Sequence, residues 1–191
     1  MTEAYFTNPL VFLVQTVFGL YITIVVIRFL LQWAGADFYN PLSQFIVKVT
    51  SPVLRPLRRV LPGYGGLDVA SLVLAWLLKS IELMLLAPLL GLGLRLVGPF
   101  AWAIPDLVGL FISIFLFAIL IRVILSWVNP DPFNPAVGIL TRLTDPILLP
   151  AQRVLPPIGG IDLSPMLVMI ALVLLQMLLL PPLRWVTGTP F

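Results

Sequence analysis

The chain repeats itself at a constant offset of 94 positions, and no other feature restricts its fold as much. Arg28, Trp33, Asn40, Pro41, Thr50, Pro52, Arg59, Pro62, Gly65, Gly66 and Asp68 recur without a gap as Arg122, Trp127, Asn134, Pro135, Thr144, Pro146, Arg153, Pro156, Gly159, Gly160 and Asp162, each 94 positions on. Polar residues, prolines and glycines do not align over such a length by chance, so the chain is a duplication of one structural unit. The units are expected to cover residues 1–97 and 98–191, joined in a single integrated domain.

Each unit carries two apolar stretches long enough to cross a bilayer, which takes about 20 residues of helix. The four stretches run roughly Leu10 to Trp33, Val69 to Leu90, Leu107 to Trp127 and Leu163 to Leu180. Overall 60% of residues are apolar and only 10% charged, against about 25% charged in soluble domains. The chain therefore reads as an all-α membrane protein: four transmembrane helices from two parallel helix–connector–helix repeats. Two spans per unit is an even number, so both units insert the same way round, and a pseudo-two-fold axis along the membrane normal is expected. The first apolar run exceeds a signal-peptide core and reads as a retained span.

Orientation follows from the basic residues beside the spans. The connectors carry Lys48, Arg55, Arg58, Arg59, Arg142 and Arg153, and the opposite side only Arg95 and Arg184. This places the connectors in the cytoplasm, or its organellar equivalent, and both termini outside. The basic residues are dispersed and interrupted by prolines, so no nucleic-acid-tracking surface is expected.

The connectors have their own architecture. Asn40-Pro41 and Asn134-Pro135 place an N-cap side chain before a proline at the first helical position. Apolar residues at Leu42, Phe45, Ile46 and Val49 then recur at helical spacing. The spacing predicts a short amphipathic helix lying in the headgroup plane, stopped at Thr50-Ser51-Pro52 and at Thr144-Asp145-Pro146. The run from Pro52 to Pro62 is expected to be broken further at Pro56. Each connector ends in Gly65-Gly66-Leu67-Asp68 or Gly159-Gly160-Ile161-Asp162.

Asp68 and Asp162 open the returning helices and have two readings. Either they are N-caps, favoured by the helix dipole, or they pair with Arg28 and Arg122, which lie about 7–8 Å inside the preceding span end. An Arg at that depth also has the option of snorkelling to phosphate. Because both members recur in both units, ties from Arg28 to Asp68 and from Arg122 to Asp162 are expected to hold each hairpin shut.

One place departs from the repeat. Lys79 and Glu82 lie near the middle of the second span on one helical face, and their counterparts 94 positions on are Val173 and Gln176. Charge at mid-bilayer is costly and faces protein or water. Lys79, Glu82 and Gln176 either line a polar interior able to meet a cation, a proton or a partner's charge, or form an ion pair that neutralises itself. Gly19 with Thr23, and Gly109 with Ser113, suit close helix approach. Glu3, Arg95, Asp106 and Arg184 read as flanking charges on the side opposite the connectors.

The Arg-x-x-Leu-x-Trp span ends, the Asn-Pro connectors, Thr-x-Pro, Arg-Val-Leu-Pro and Gly-Gly-[Leu/Ile]-Asp together resemble the YggT family, related to YlmG-type proteins, in its two-unit form. The resemblance covers about Leu10 to Leu183. It implies a polytopic membrane protein associated with osmotic stress tolerance and ion uptake in bacteria, and with organelle distribution or cytochrome assembly in plastids. It brings no catalytic residues. With His and Cys both at zero, imidazole bases, thiolate nucleophiles and haem ligation by either are excluded.

Two classes of function are open. In the first the chain is a non-enzymatic scaffold, accessory subunit or assembly factor of another membrane complex. In the second it is a small channel or transporter component built around Glu82 and Lys79. The repeated signals lie in the connectors and the candidate pathway charges occur once, which favours the first. No cofactor and no metal are expected. The partners are the bilayer and another membrane protein, with homo-oligomerisation left open.

Overall fold

The computed structural model describes residues 2–61, 63, 66–128, 134–155 and 162–190, with side chains from residue 8 onward. Pro62, Gly65, Pro156, Gly159 and Gly160, singled out in the sequence, lie outside the described residues. Among the described residues six helices follow one another: α1 (Thr2–Trp33), α2 (Pro41–Val60), α3 (Val69–Leu89), α4 (Gly98–Val128), α5 (Pro135–Val154) and α6 (Ser164–Thr187). Four of them, α1, α3, α4 and α6, are long and apolar enough to cross a membrane. They are helical because runs of Leu, Val, Ile and Phe leave no competing polar partner, and in hydrocarbon each backbone group has to be satisfied within its own segment. The chain is a multi-pass, all-helical membrane protein.

The connector helices α2 and α5 span the same positions 94 apart and are 20 residues long each. They start as the sequence dictates. Asn40 Oδ1 accepts from the Leu42 amide and Asn134 Oδ1 from the Ala136 amide, both at 2.9 Å. They do not stop where expected. α2 runs through Pro52 and Pro56, and α5 through Pro146 and Pro150, so the broken Pro52–Pro62 segment is corrected to continuous helix as far as Val60. A mid-helix proline costs about 3 kcal/mol by removing one amide and displacing a carbonyl. Here the turn before it is held from outside its own ladder. The Thr50 and Ser51 hydroxyls donate to the Ile46 and Val47 carbonyls, at 2.7 and 2.5 Å. Arg28 from α1 donates to the Val47 carbonyl as well, at 3.2 Å. Thr144 and Arg122 repeat the arrangement on the Leu140 and Thr141 carbonyls of α5.

The four spans pack in an open row. α3 lies against α1 and α4, and α6 lies against the other side of α4. Between α1 and α6 no Cα atoms come within 8 Å among the described residues. The expected two-fold is therefore not realised. A two-fold would turn the α3·α4 contact into an equal α6·α1 contact, and only the first exists. The physical reason is chemical asymmetry. Lys79 of α3 reaches Asp106 of α4 across the first contact, whereas the counterparts across the second, Val173 and Phe12, are apolar. The consequence shows in burial: 44% of the α3 span lies inside the protein against 17% of the α6 span.

The main core joins Ile22, Val25, Val26 and Leu30 of α1 to Leu54 of α2, Leu74 of α3, Ala118 of α4 and Leu143 of α5. Connector helices are thus part of the packed body, each inserting one fully buried leucine, Leu54 or Leu148. Asn40 adds a link between the repeats, donating through Nδ2 to the Pro135 carbonyl at 2.7 Å.

Candidate functional site

Two constellations stand out, one repeated and one single. The repeated one lies where each connector helix meets the preceding span. The Arg28 Nη1 donates to the Thr50 hydroxyl and, at 3.3 Å, to the Ser51 hydroxyl. The Arg122 Nη1 donates to the Thr144 hydroxyl at 2.6 Å and to Asp145 Oδ1 at 2.7 Å. Both threonines are fully buried. An arginine inside a span is stable only if its charge is met, and here a hydroxyl, a backbone carbonyl and one polar neighbour meet it.

The aspartates at the start of α3 and α6 behave differently in the two units. Asp68 is both a cap and an ion-pair partner: its carboxylate accepts from the Ser71 amide and hydroxyl, from Arg58 at 2.5 Å, and lies 3.8 Å from Arg28 Nε. Burial pushes this carboxyl upward, but the hydrogen bonds from Arg58 and Ser71 outweigh it and hold it below its ordinary value. Asp162 accepts from Gln152 Nε2 at 2.8 Å and from the Ser164 amide at 2.9 Å. The expected Arg122–Asp162 tie is corrected, since the carboxylate paired with Arg122 is Asp145. The reason lies in two departures from the repeat. Ser51 is replaced by Asp145 and Arg58 by Gln152, so the second unit brings its own acid to the arginine and has no second arginine for its cap.

The single constellation is a polar cavity of about 310 Å³ bounded by α1, α3, α4 and α6. Lys79, Glu82 and Gln176 all line it, together with Asp106 and Arg184. The Lys79 ammonium donates to Glu82 Oε1 at 3.0 Å and lies 3.3 Å from Asp106 Oδ2. Glu82 is 3% exposed, and its second oxygen, Oε2, has no hydrogen-bond partner among the described residues. Asp106 is thereby corrected from a flanking charge to a cavity residue. It lies inside α4 beside Pro105, past the first turns of a helix that begins at Gly98. Gly19 is corrected too. Its α-carbon faces open space, where the sequence suggested a helix contact, whereas Gly109 does face α6, with Leu180 3.4 Å from where a Cβ would stand.

The CCB3/YggT family model matches residues 7–89 and again residues 101–183, two windows displaced by the same 94 positions as the internal repeat. The chain belongs to the CCB3/YggT family. An uncharacterized protein of Pseudomonas aeruginosa is 46% identical over 185 residues, covering 94% of this chain and 92% of the relative. YggT of Escherichia coli K12, also described as uncharacterized, is 41% identical over 172 residues, 89% of this chain and 88% of its own. The ycf19 protein of the alga Guillardia theta is 41% identical over 58 residues, 30% of this chain and 64% of its own length. No solved structure matches.

Within this CCB3/YggT chain, sequence reasoning missed Thr50 and Thr144 as the arginine partners, treating them only as helix stops. The available signal was their recurrence together with Arg28 and Arg122 at equal spacing, 22 positions in both units. Arg58 was missed because its counterpart Gln152 is uncharged, which hid the position from a search for repeated ion pairs.

Proposed function

We propose that this member of the CCB3/YggT family is a non-enzymatic membrane scaffold or accessory subunit, working by packing its flanking spans against another membrane protein. The observation that carries this reading is the open row of spans. One repeat docks on the next through α3·α4, and among the described residues α6 and α1 make no corresponding contact. An interface of this head-to-tail kind is not self-limiting and leaves one free half at each end. The absence of His and Cys from the chain supports the non-enzymatic reading.

The same reading places the connectors at the cytoplasmic face of a bacterial inner membrane, with the termini on the other side. Arg55 and Arg59 on α2 are exposed, and such residues favour an anionic leaflet by about 1 kcal/mol each. The two locked helices α2 and α5 then form one platform at the cytoplasmic interface. A second reading, an ion pathway through the cavity, has Glu82 Oε2 in its favour. Against it, Lys79 already bridges both carboxylates.

The test is purification of the full chain in mild detergent with mass spectrometry of co-migrating proteins, alongside ion flux in liposomes. A stoichiometric membrane partner without flux is expected, with growth under hyperosmotic stress as a second readout of its loss. Flux abolished by Glu82→Gln, with no partner, would replace this reading with the second.

A further inference from the structure

The polar cavity does not end at its polar residues. Thr23 and Leu110 line it and also line a second space of about 430 Å³, whose surface is almost wholly apolar. That groove runs along α4 past Ile114, Phe117 and Ile121 to Leu140 of α5. The two spaces adjoin at Thr23 and Leu110 with α4 lining both, and among the described residues no Cα of α1 comes within 8 Å of one in α6. One end is charged and the other takes hydrocarbon.

The charged end has a definite preference. Lys79, Glu82 and Asp106 carry two carboxylates against one ammonium, and the Oε2 of the 3%-exposed Glu82 lacks a donor. A buried carboxylate oxygen without a donor has lost its water and gained nothing in exchange, and the loss is greatest for a charged group. What fits is a second cationic N–H donor. At the mouth, near the end of α6, the exposed Arg184 meets no carboxylate among the described residues and offers the opposite charge. Gly19 keeps the α1 wall low, with nothing within 4 Å of where its Cβ would be.

We propose that this cleft binds a phospholipid with a primary ammonium headgroup, the ammonium at Glu82 and Asp106, the phosphate at Arg184 and an acyl chain along α4. The proposal does not rest on the scaffold reading: both use α1 and α6, but lipid retention is measured on the purified chain with no partner protein present.

The test uses the full chain in mild detergent, offered phosphatidylethanolamine, phosphatidylcholine or phosphatidylglycerol, each with a fluorophore on its acyl chain. Phosphatidylethanolamine is expected to be retained about tenfold over the other two, the ratio of one charge-assisted hydrogen bond. The quaternary ammonium of phosphatidylcholine has no N–H to give, and phosphatidylglycerol has no cation. Glu82→Gln should erase the preference, and Gly19→Leu should lower retention of all three by filling the cavity. Should Glu82→Gln not be recovered, Asp106→Asn makes the same comparison. Free phosphorylethanolamine should leave the bound lipid in place; if it displaces the lipid, the acyl-chain half of the assignment is wrong. Equal retention of the three lipids by the parent chain, or an unchanged preference in the carboxylate variant, would overturn the proposal.

Discussion

Arg122 Nη1 donates to the Thr144 hydroxyl at 2.6 Å, and 94 positions earlier Arg28 makes the same bond to Thr50. In each unit the threonine passes the interaction on, donating its own hydrogen to the carbonyl four residues back, Leu140 or Ile46, at 2.7 Å. A span arginine, a buried hydroxyl and the backbone of the connector helix thus form one short chain, built twice. This relationship fixes where α2 and α5 lie.

If it does, Thr50→Val, which keeps shape and removes the hydroxyl, should destabilise the chain by about 1–3 kcal/mol by leaving a charged donor short of one partner. Arg28→Gln should cost more than Arg122→Gln, because the Arg28 side chain is 5% exposed and that of Arg122 27%. Thermal unfolding in detergent checks both, as a drop in Tm of several degrees and an ordering between the two arginines. Equal midpoints for Thr50→Val and the parent would remove the lock.

Asp68 sets a pH dependence. Its carboxyl is held below the ordinary value of 3.8 by Arg58 and Ser71, against the opposing pull of burial. A depressed native value means that its stabilisation is complete above the unfolded value and is lost as pH falls through the native one. The Tm gap between the parent and Asp68→Asn should therefore be constant above about pH 5 and shrink as pH falls below about 4. A gap that widened on acidification would contradict the pairing.

At the cavity, Lys79→Met would leave Glu82 and Asp106 facing each other without their shared cation. Removing one partner of a buried charge group costs about 3–5 kcal/mol, so membrane abundance should fall sharply. Adding Glu82→Gln to Lys79→Met should restore part of it, since the remaining acid, Asp106, is partly exposed. A double variant no more abundant than Lys79→Met would show that the three residues do not act as a unit.

The two glycines that look alike in sequence should respond in opposite ways. Gly19→Ala meets open space and should stabilise α1 by about 0.5–1 kcal/mol, the usual gain from replacing a helical glycine. Gly109→Leu drives a side chain into Leu180 of α6 and should cost about 1–3 kcal/mol through overpacking. Unfolding midpoints of the two variants decide it.

Much of the fold was legible because it follows from local rules. Span length fixed α1, α3, α4 and α6, and Asn40-Pro41 and Asn134-Pro135 marked the starts of α2 and α5. What misled was treating proline as a stop without its surroundings. Pro52 and Pro146 stay inside helices because Thr50, Ser51 and Arg28, or Thr144 and Arg122, hold the preceding turn, and the arginines arrive from another helix. The charge partners divided in the same way. Lys79 and Glu82 are three apart on one helix and could be read from spacing, whereas Asp106 reaches them from α4 and has Phe12 as its repeat counterpart. Arg122 with Asp145 escaped notice because the acid stands where the first unit has Ser51.

The central claim is that the chain's flanks, α6 and α1, pack on another membrane protein. Site-specific photo-cross-linking from Leu178 on α6 and Phe12 on α1, both more than half exposed, tests it inside the intact membrane. The account predicts a discrete protein adduct from each position, its mass separating a second copy of this chain from a different partner, and none from a cross-linker at buried Ile22. Lipid adducts alone at both flanks would contradict it.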